Sequence, residues 1–189
     1  MQESVIIDKS LLIADVLDSS AAVTLFCRPR RFGKSLNMTM LKAFFEIPPA
    51  SDPNAEDAAY LFEGLSIWDA GGGRYREYQG AYPVIYISFN PVKKQRWEDA
   101  KSALRQLIVW EYIRHGYLSD SSELNEQERA YFDRVAGWKA TDGDIESSLI
   151  NLTRLLFKHH GRRTVVLIDE YDAPVMAARD NGYYDEMVS

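Results

Sequence analysis

Apolar residues follow two rhythms along this chain: short unbroken runs rich in β-branched side chains, and longer stretches where they recur every three or four positions. Val23-Thr24-Leu25-Phe26-Cys27, Tyr82-Pro83-Val84-Ile85-Tyr86-Ile87-Ser88 and Thr164-Val165-Val166-Leu167-Ile168 are the runs. They predict buried strands of a parallel sheet at 22–27, 84–89 and 164–168. Between and around them the helical rhythm predicts a first helix within 5–17, capped by Asp8 or Ser10. Leu36, Met40, Leu41 and Phe44 predict a helix over 34–46, and prolines 48, 49 and 53 end it. Trp97, Ala100, Leu104, Leu107, Ile108 and Tyr112 trace a stripe predicting a helix over 97–118. Asn125 and Glu128 have capping-box spacing before a helix to 137. Ile145, Leu149, Leu152, Leu155 and Leu156 mark another, with Gly161 as its stop. Gly71-Gly72-Gly73 reads as a flexible turn, since no strand precedes it. The alternation predicts one α/β domain over 1–189, with a helical insertion between its first and last strands and no internal repeat.

Chemistry enters where the first run meets its helix. Arg28-Pro29-Arg30-Arg31-Phe32-Gly33-Lys34-Ser35 joins them. A strand, a basic loop ending Gly-Lys-Ser and a helix are the parts of a phosphate-binding P-loop, or Walker A motif. Gly33 lets backbone approach phosphate, and the N–H groups of Lys34, Ser35 and Leu36 open the helix toward an anion. Lys34 reaches the β- and γ-phosphates, and the Ser35 hydroxyl ligates Mg²⁺. The first glycine of the general motif is replaced by Arg28, and a plain structural turn is the competing reading. Arg28, Arg30, Arg31 and Phe32 flank the loop, where guanidiniums are drawn to a triphosphate or to Asp169, Glu170 or Asp172.

The last run ends in Asp169-Glu170. An Asp at the carboxyl end of such a strand is where P-loop enzymes hold magnesium, the Walker B position. A Glu directly after it is placed to deprotonate an attacking water. Acidic residues also end strands on solvated edges, but two motifs in the right order favour the site.

With both motifs in view the sequence resembles the bacterial and archaeal AAA-ATPase-like family. The resemblance rests on Ile7-Asp8-Lys9-Ser10, on Arg28 through Asn37, and on Leu167-Ile168-Asp169-Glu170-Tyr171-Asp172-Ala173-Pro174. It implies a P-loop NTPase fold of three α/β/α layers, ATP and Mg²⁺ as ligands, and an ATPase in the full-length protein. Arginine in place of the first P-loop glycine is similar to the family's habit. The resemblance implies that Lys34 and Glu170 act in catalysis and that Ser35 and Asp169 hold magnesium. Arg28, Arg30, Arg31, Phe32, Gly33, Lys34, Ser35 and Leu36 would surround the nucleotide. It also raises a homo-oligomer and a C-terminal restriction-endonuclease-like domain as partners. By the same resemblance, the strand after Walker B inserts beside the P-loop strand. No apolar run follows Asp180, so the C-terminal strands and the sensor residue are missing, and the chain is expected to be a fragment of marginal stability.

Composition narrows the alternatives. The 189 residues are 46% hydrophobic with net charge −6 and a single cysteine, Cys27. That excludes an intrachain disulfide and argues against general nucleic-acid binding, although the Arg and Lys clusters leave a nucleic-acid module as a third reading. Cys27 reads as core packing. No run approaches the length of a membrane span and the first residues lack a signal-peptide pattern, so a cytoplasmic protein is expected. His159 and His160 close a helix, where imidazolium suits the dipole. Lys93-Lys94-Gln95-Arg96 reads as a solvated loop, and Trp68, Trp110 and Trp138 as core or edge aromatics. The rival to ATP hydrolysis is a non-hydrolysing, nucleotide-dependent switch or scaffold that regulates an attached effector.

Overall fold

The computed structural model describes residues 7–19, 21–27, 33–48 and 58–188. They form two compact units, Met1–Tyr82 and Pro83–Ser189. The first holds helices α1 (Leu11–Asp18), α2 (Lys34–Phe45) and α3 (Ser66–Asp69), with 3-10 turns at Ala58–Leu61 and Ala70–Tyr78. Phe44 packs edge-on against Phe45 and Phe62, at ring separations of 5.3 and 5.1 Å. These rings are buried, as are Ile13, Leu41 and Ile67. Leu36, by contrast, is exposed, so the apolar stripe of α2 begins one turn later than predicted. Gly71, Gly72 and Gly73 all take left-handed backbone, the turn that their sequence predicts.

Ser10 stands at the N-cap position of α1, as predicted, but its side chain makes no cap bond to the helix. Asp8 accepts backbone N–H bonds from Ser10 and, across the unit, from Ser66, both at 2.8 Å. Ser10 is buried, and its hydroxyl accepts from the Ile67 amide at 3.1 Å. The two side chains thus tie the N-terminal segment to the start of α3, and a hydrogen bond from the Ser66 side chain leads in holding Asp8 well below the usual carboxylate range.

Residues 22–27, predicted as the first core strand, are not a strand. An extended segment becomes one only beside a neighbour that takes its N–H and C=O groups, and none of the described residues does so. Val23 and Leu25 are exposed, and Cys27 is exposed instead of packed in a core.

The second unit runs β1 (Val84–Ser88), α4 (Trp97–Arg114), α5 (Glu126–Ala136), α6 (Asp142–Glu146), α7 (Ser148–His160), β2 (Val165–Asp169), α8 (Ala173–Asn181) and α9 (Tyr184–Val188). β1 and β2 pair in parallel from Val84↔Val165 to Ser88↔Asp169, so both strands end at the same edge of the sheet. Parallel neighbours need a long crossover, and α4 to α7 supply it. Ile85 and Ile87 meet Ile108, Tyr112, Phe132, Leu152 and Leu156 in one buried cluster. The architecture is mixed α/β as predicted, but among the described residues the sheet has two strands, not three.

Asn125 and Glu128 form the predicted capping box of α5, and Gly161 ends α7 with φ +66°. α4 stops at Arg114, earlier than predicted, and the chain turns into a 3-10 segment over Gly116–Asp120, where glycine disfavours further α-helix. The helix predicted from Ile145 onward is divided into α6, which holds Ile145 and has its own capping box from Thr141 and Asp144, and α7.

The outer edge of β1 is closed by side chains. The Tyr86 amide donates to Glu111 Oε1 at 3.0 Å, and Arg114 donates to the Val84 carbonyl and to both Glu111 oxygens. Burial raises the Glu111 carboxyl. His115, whose Nε2 lies 3.5 Å away, and Arg114 outweigh that and hold it at about 2.

Candidate nucleotide-binding site

In the first unit Gly33 is left-handed, at φ +77°, and its carbonyl accepts the first helical bond, from the Asn37 amide at 2.9 Å. Lys34, Ser35 and Leu36 therefore form the first turn of α2, whose N–H groups point out of the helix end. No acidic residue sits in that turn, which preserves the positive end of the dipole for an anion. A Cβ at position 33 would lie 3.4 Å from the Lys9 ammonium, so glycine serves both the backbone turn and the open space. Arg28, Arg30, Arg31 and Phe32 lie outside the described residues.

In the second unit β2 ends at Asp169, which is buried. Its Oδ1 accepts from the Glu170 amide at 3.0 Å. Burial, then the Asp169 charge, push the Tyr86 hydroxyl upward. Glu170 has φ +53°, a conformation that non-glycine residues rarely take. Its carbonyl accepts from the Ala173 amide at the start of α8. Its carboxylate lies 3.5 Å from the Lys93 ammonium, which also donates to Asn90 Oδ1 at 2.9 Å.

Lys93 to Arg96 form the exposed loop before α4 that the sequence predicts, and within it Lys93 stands beside Glu170. Its signal was indirect: once β1 and β2 are known to be parallel neighbours, the loop after β1 must emerge beside Asp169-Glu170. His159 and His160 close α7 as predicted, but His160 departs from the imidazolium reading. Tyr117 bridges His115 and His160 through its hydroxyl, at 3.0 and 2.9 Å. Burial, then the neighbouring His159 and His115, lower His160 to about 4, so it is neutral at physiological pH.

Among the described residues no group of three His, Cys, Asp or Glu side chains could hold a metal by itself. Magnesium does not require one, because it commonly binds through one or two protein oxygens and completes its shell with phosphate and water.

A left-handed glycine before a helix that begins with lysine, and a strand ending at Asp169 with Glu170 after it, are the local features that the P-loop reading of the sequence expects. Comparison with known families agrees: the chain belongs to the AAA-ATPase-like family, described as predicted AAA-ATPase, which matches residues 1–189. It is similar to a curated protein of Azotobacter chroococcum mcd 1, "Uncharacterized protein in vnfD 5'region", at 28% identity over 149 residues. That match covers 79% of this chain but 22% of the relative, so the chain spans less than a quarter of that protein's length. No solved structure matches the chain. No helix among the described residues is long and apolar enough to cross a membrane.

Proposed function

We propose that this chain binds Mg²⁺–ATP and, within its full-length protein, hydrolyses it. The observation that carries the reading is Gly33, left-handed at the head of a helix whose first turn holds Lys34 and Ser35 and no acid. Lys34 would neutralise charge on the β- and γ-phosphates, and the N–H groups of 34–36 would cradle them. Ser35 and Asp169 would hold magnesium, whose contribution is charge stabilisation on the phosphates. Glu170 would take the proton of the attacking water. Arg28, Arg30 and Arg31 would add charge around the nucleotide. An α/β/α sheet of more strands, copies of the chain and an attached nuclease-like domain are proposals for the full-length protein on the same family grounds.

A second reading is a nucleotide-dependent switch that does not hydrolyse. One observation favours it: the Glu170 carboxylate is engaged by Lys93, as a held base would be.

Two variants test these readings in the full-length protein. Lys34→Ala removes a charged hydrogen bond, worth roughly 1.5–3 kcal/mol, so calorimetry should show MgATP affinity falling by about one to two decades. Equal affinity in folded wild type and variant would refute the P-loop assignment. Glu170→Gln should keep binding and lose turnover. Turnover absent from the wild type as well would favour the switch.

A further inference from the structure

Lys9 lies in Ile7-Asp8-Lys9-Ser10, a segment to which the nucleotide chemistry above gives no task. Its neighbours on both sides are fixed. Asp8 holds the Ser10 and Ser66 amides, and the buried Ser10 hydroxyl holds the Ile67 amide. The backbone that carries Lys9 is thereby anchored, and its ammonium lies 3.4 Å from where a Cβ on Gly33 would sit.

The charge setting is unusual for this acidic chain. Lys9 is half-buried, and among the described residues no hydrogen bond or ion pair engages its ammonium. Elsewhere in the same unit Lys42, Arg74 and Arg76 each face a carboxylate within 3.4 Å. The first turn of α2 supplies no acid either. An ammonium partly removed from water without a counter-charge is costly, and here it stands at the positive end of a helix dipole, which adds repulsion. An anion at that point would relieve both.

We infer that Lys9 is a second phosphate-contacting lysine, which acts with Lys34 on the β- and γ-phosphates of a nucleoside triphosphate. The inference rests on the nucleotide reading of the Gly33–Lys34 turn and adds a residue from a distant part of the sequence to it. Asp8 and Ser10 are positioning residues for that ammonium.

The test measures affinities of the full-length protein and its Lys9→Met and Lys9→Arg variants for MgATP, magnesium tripolyphosphate and AMP. Lys9→Met should weaken the first two by about tenfold. AMP, which ends at the α-phosphate, should bind unchanged, and Lys9→Arg should recover most of the loss. Should Lys9→Met fail to fold, the wild type decides: magnesium tripolyphosphate should protect Lys9 from acetylation, read by mass spectrometry. Equal MgATP affinity in folded Lys9→Met, alongside weakened binding in Lys34→Ala, overturns this inference alone. Equal loss of AMP overturns it too, since that marks a structural role. Absence of protection in the wild type does the same when the variant is unfolded. Unchanged binding in Lys34→Ala overturns the nucleotide reading and this inference with it.

Discussion

Glu111→Gln removes one negative charge from the closed edge of β1 and keeps the side chain's shape. The amide oxygen can still accept from the Tyr86 amide, while the new NH2 faces an Arg114 donor, so the change removes the charge together with one Arg114 hydrogen bond. The carboxyl moves from an ordinary 4.5 to about 2 on folding. A shift of that size, at about 1.4 kcal/mol per pH unit, puts the charged form's contribution at about 3 kcal/mol. Its folded value is depressed, so the contribution is complete above pH 4.5 and is lost as pH falls toward 2. Urea unfolding of wild type and variant should therefore differ by about 3 kcal/mol at pH 7, and the gap should narrow steadily between pH 4.5 and 2. Other carboxylates titrate in both proteins and cancel in the difference. A gap below about 1 kcal/mol at pH 7, or one that does not narrow in acid, would refute the reasoning.

Two further outcomes follow from local geometry. Asn125→Ala removes the side-chain half of the α5 capping box and should cost about 1 kcal/mol in thermal or urea unfolding; no loss would mean that helix is fixed by packing alone. Hydrogen exchange should alternate along β2, because the Val165 amide donates to the Pro83 carbonyl and parallel pairing turns every second amide outward. Val166 and Ile168 should exchange fast and Leu167 slowly, with residues 23–27 fast throughout; uniform protection of β2 would reveal a partner on its other edge.

What the sequence conveyed well was whatever is decided within a few residues. The capping box at Asn125 and Glu128, the stop at Gly161 and the start of α2 at Lys34 are local, and each stands where its pattern predicts. Strands 84–88 and 165–169 were legible because their runs are apolar enough to bury. Residues 23–27 have a similar composition, but pairing is not a property of one segment, and the described residues offer it no ladder. Asp8 and Ser10 misled for a related reason. Short polar side chains before a helix are good caps, yet here they bond Ser66 and Ile67, more than fifty residues away. Nothing local distinguishes the two uses. Lys93 and Lys9 were given no place at the site for the same reason, since the neighbours of each, Glu170 and Gly33, are distant in sequence.

The left-handed backbone at Glu170 sets stability at odds with the proposed chemistry on one residue. A side chain with a Cβ there carries a conformational cost of order 1 kcal/mol that glycine would avoid. Folding by itself would thus accept glycine at position 170 and lose only the contact with Lys93, a partly exposed pair of small worth. A library of variants sorted for folding should enrich glycine at this position, while one sorted for turnover should keep glutamate. Divergence of the two populations would locate chemistry at position 170 without reference to any motif, and a common preference for glutamate would mean the fold itself requires it.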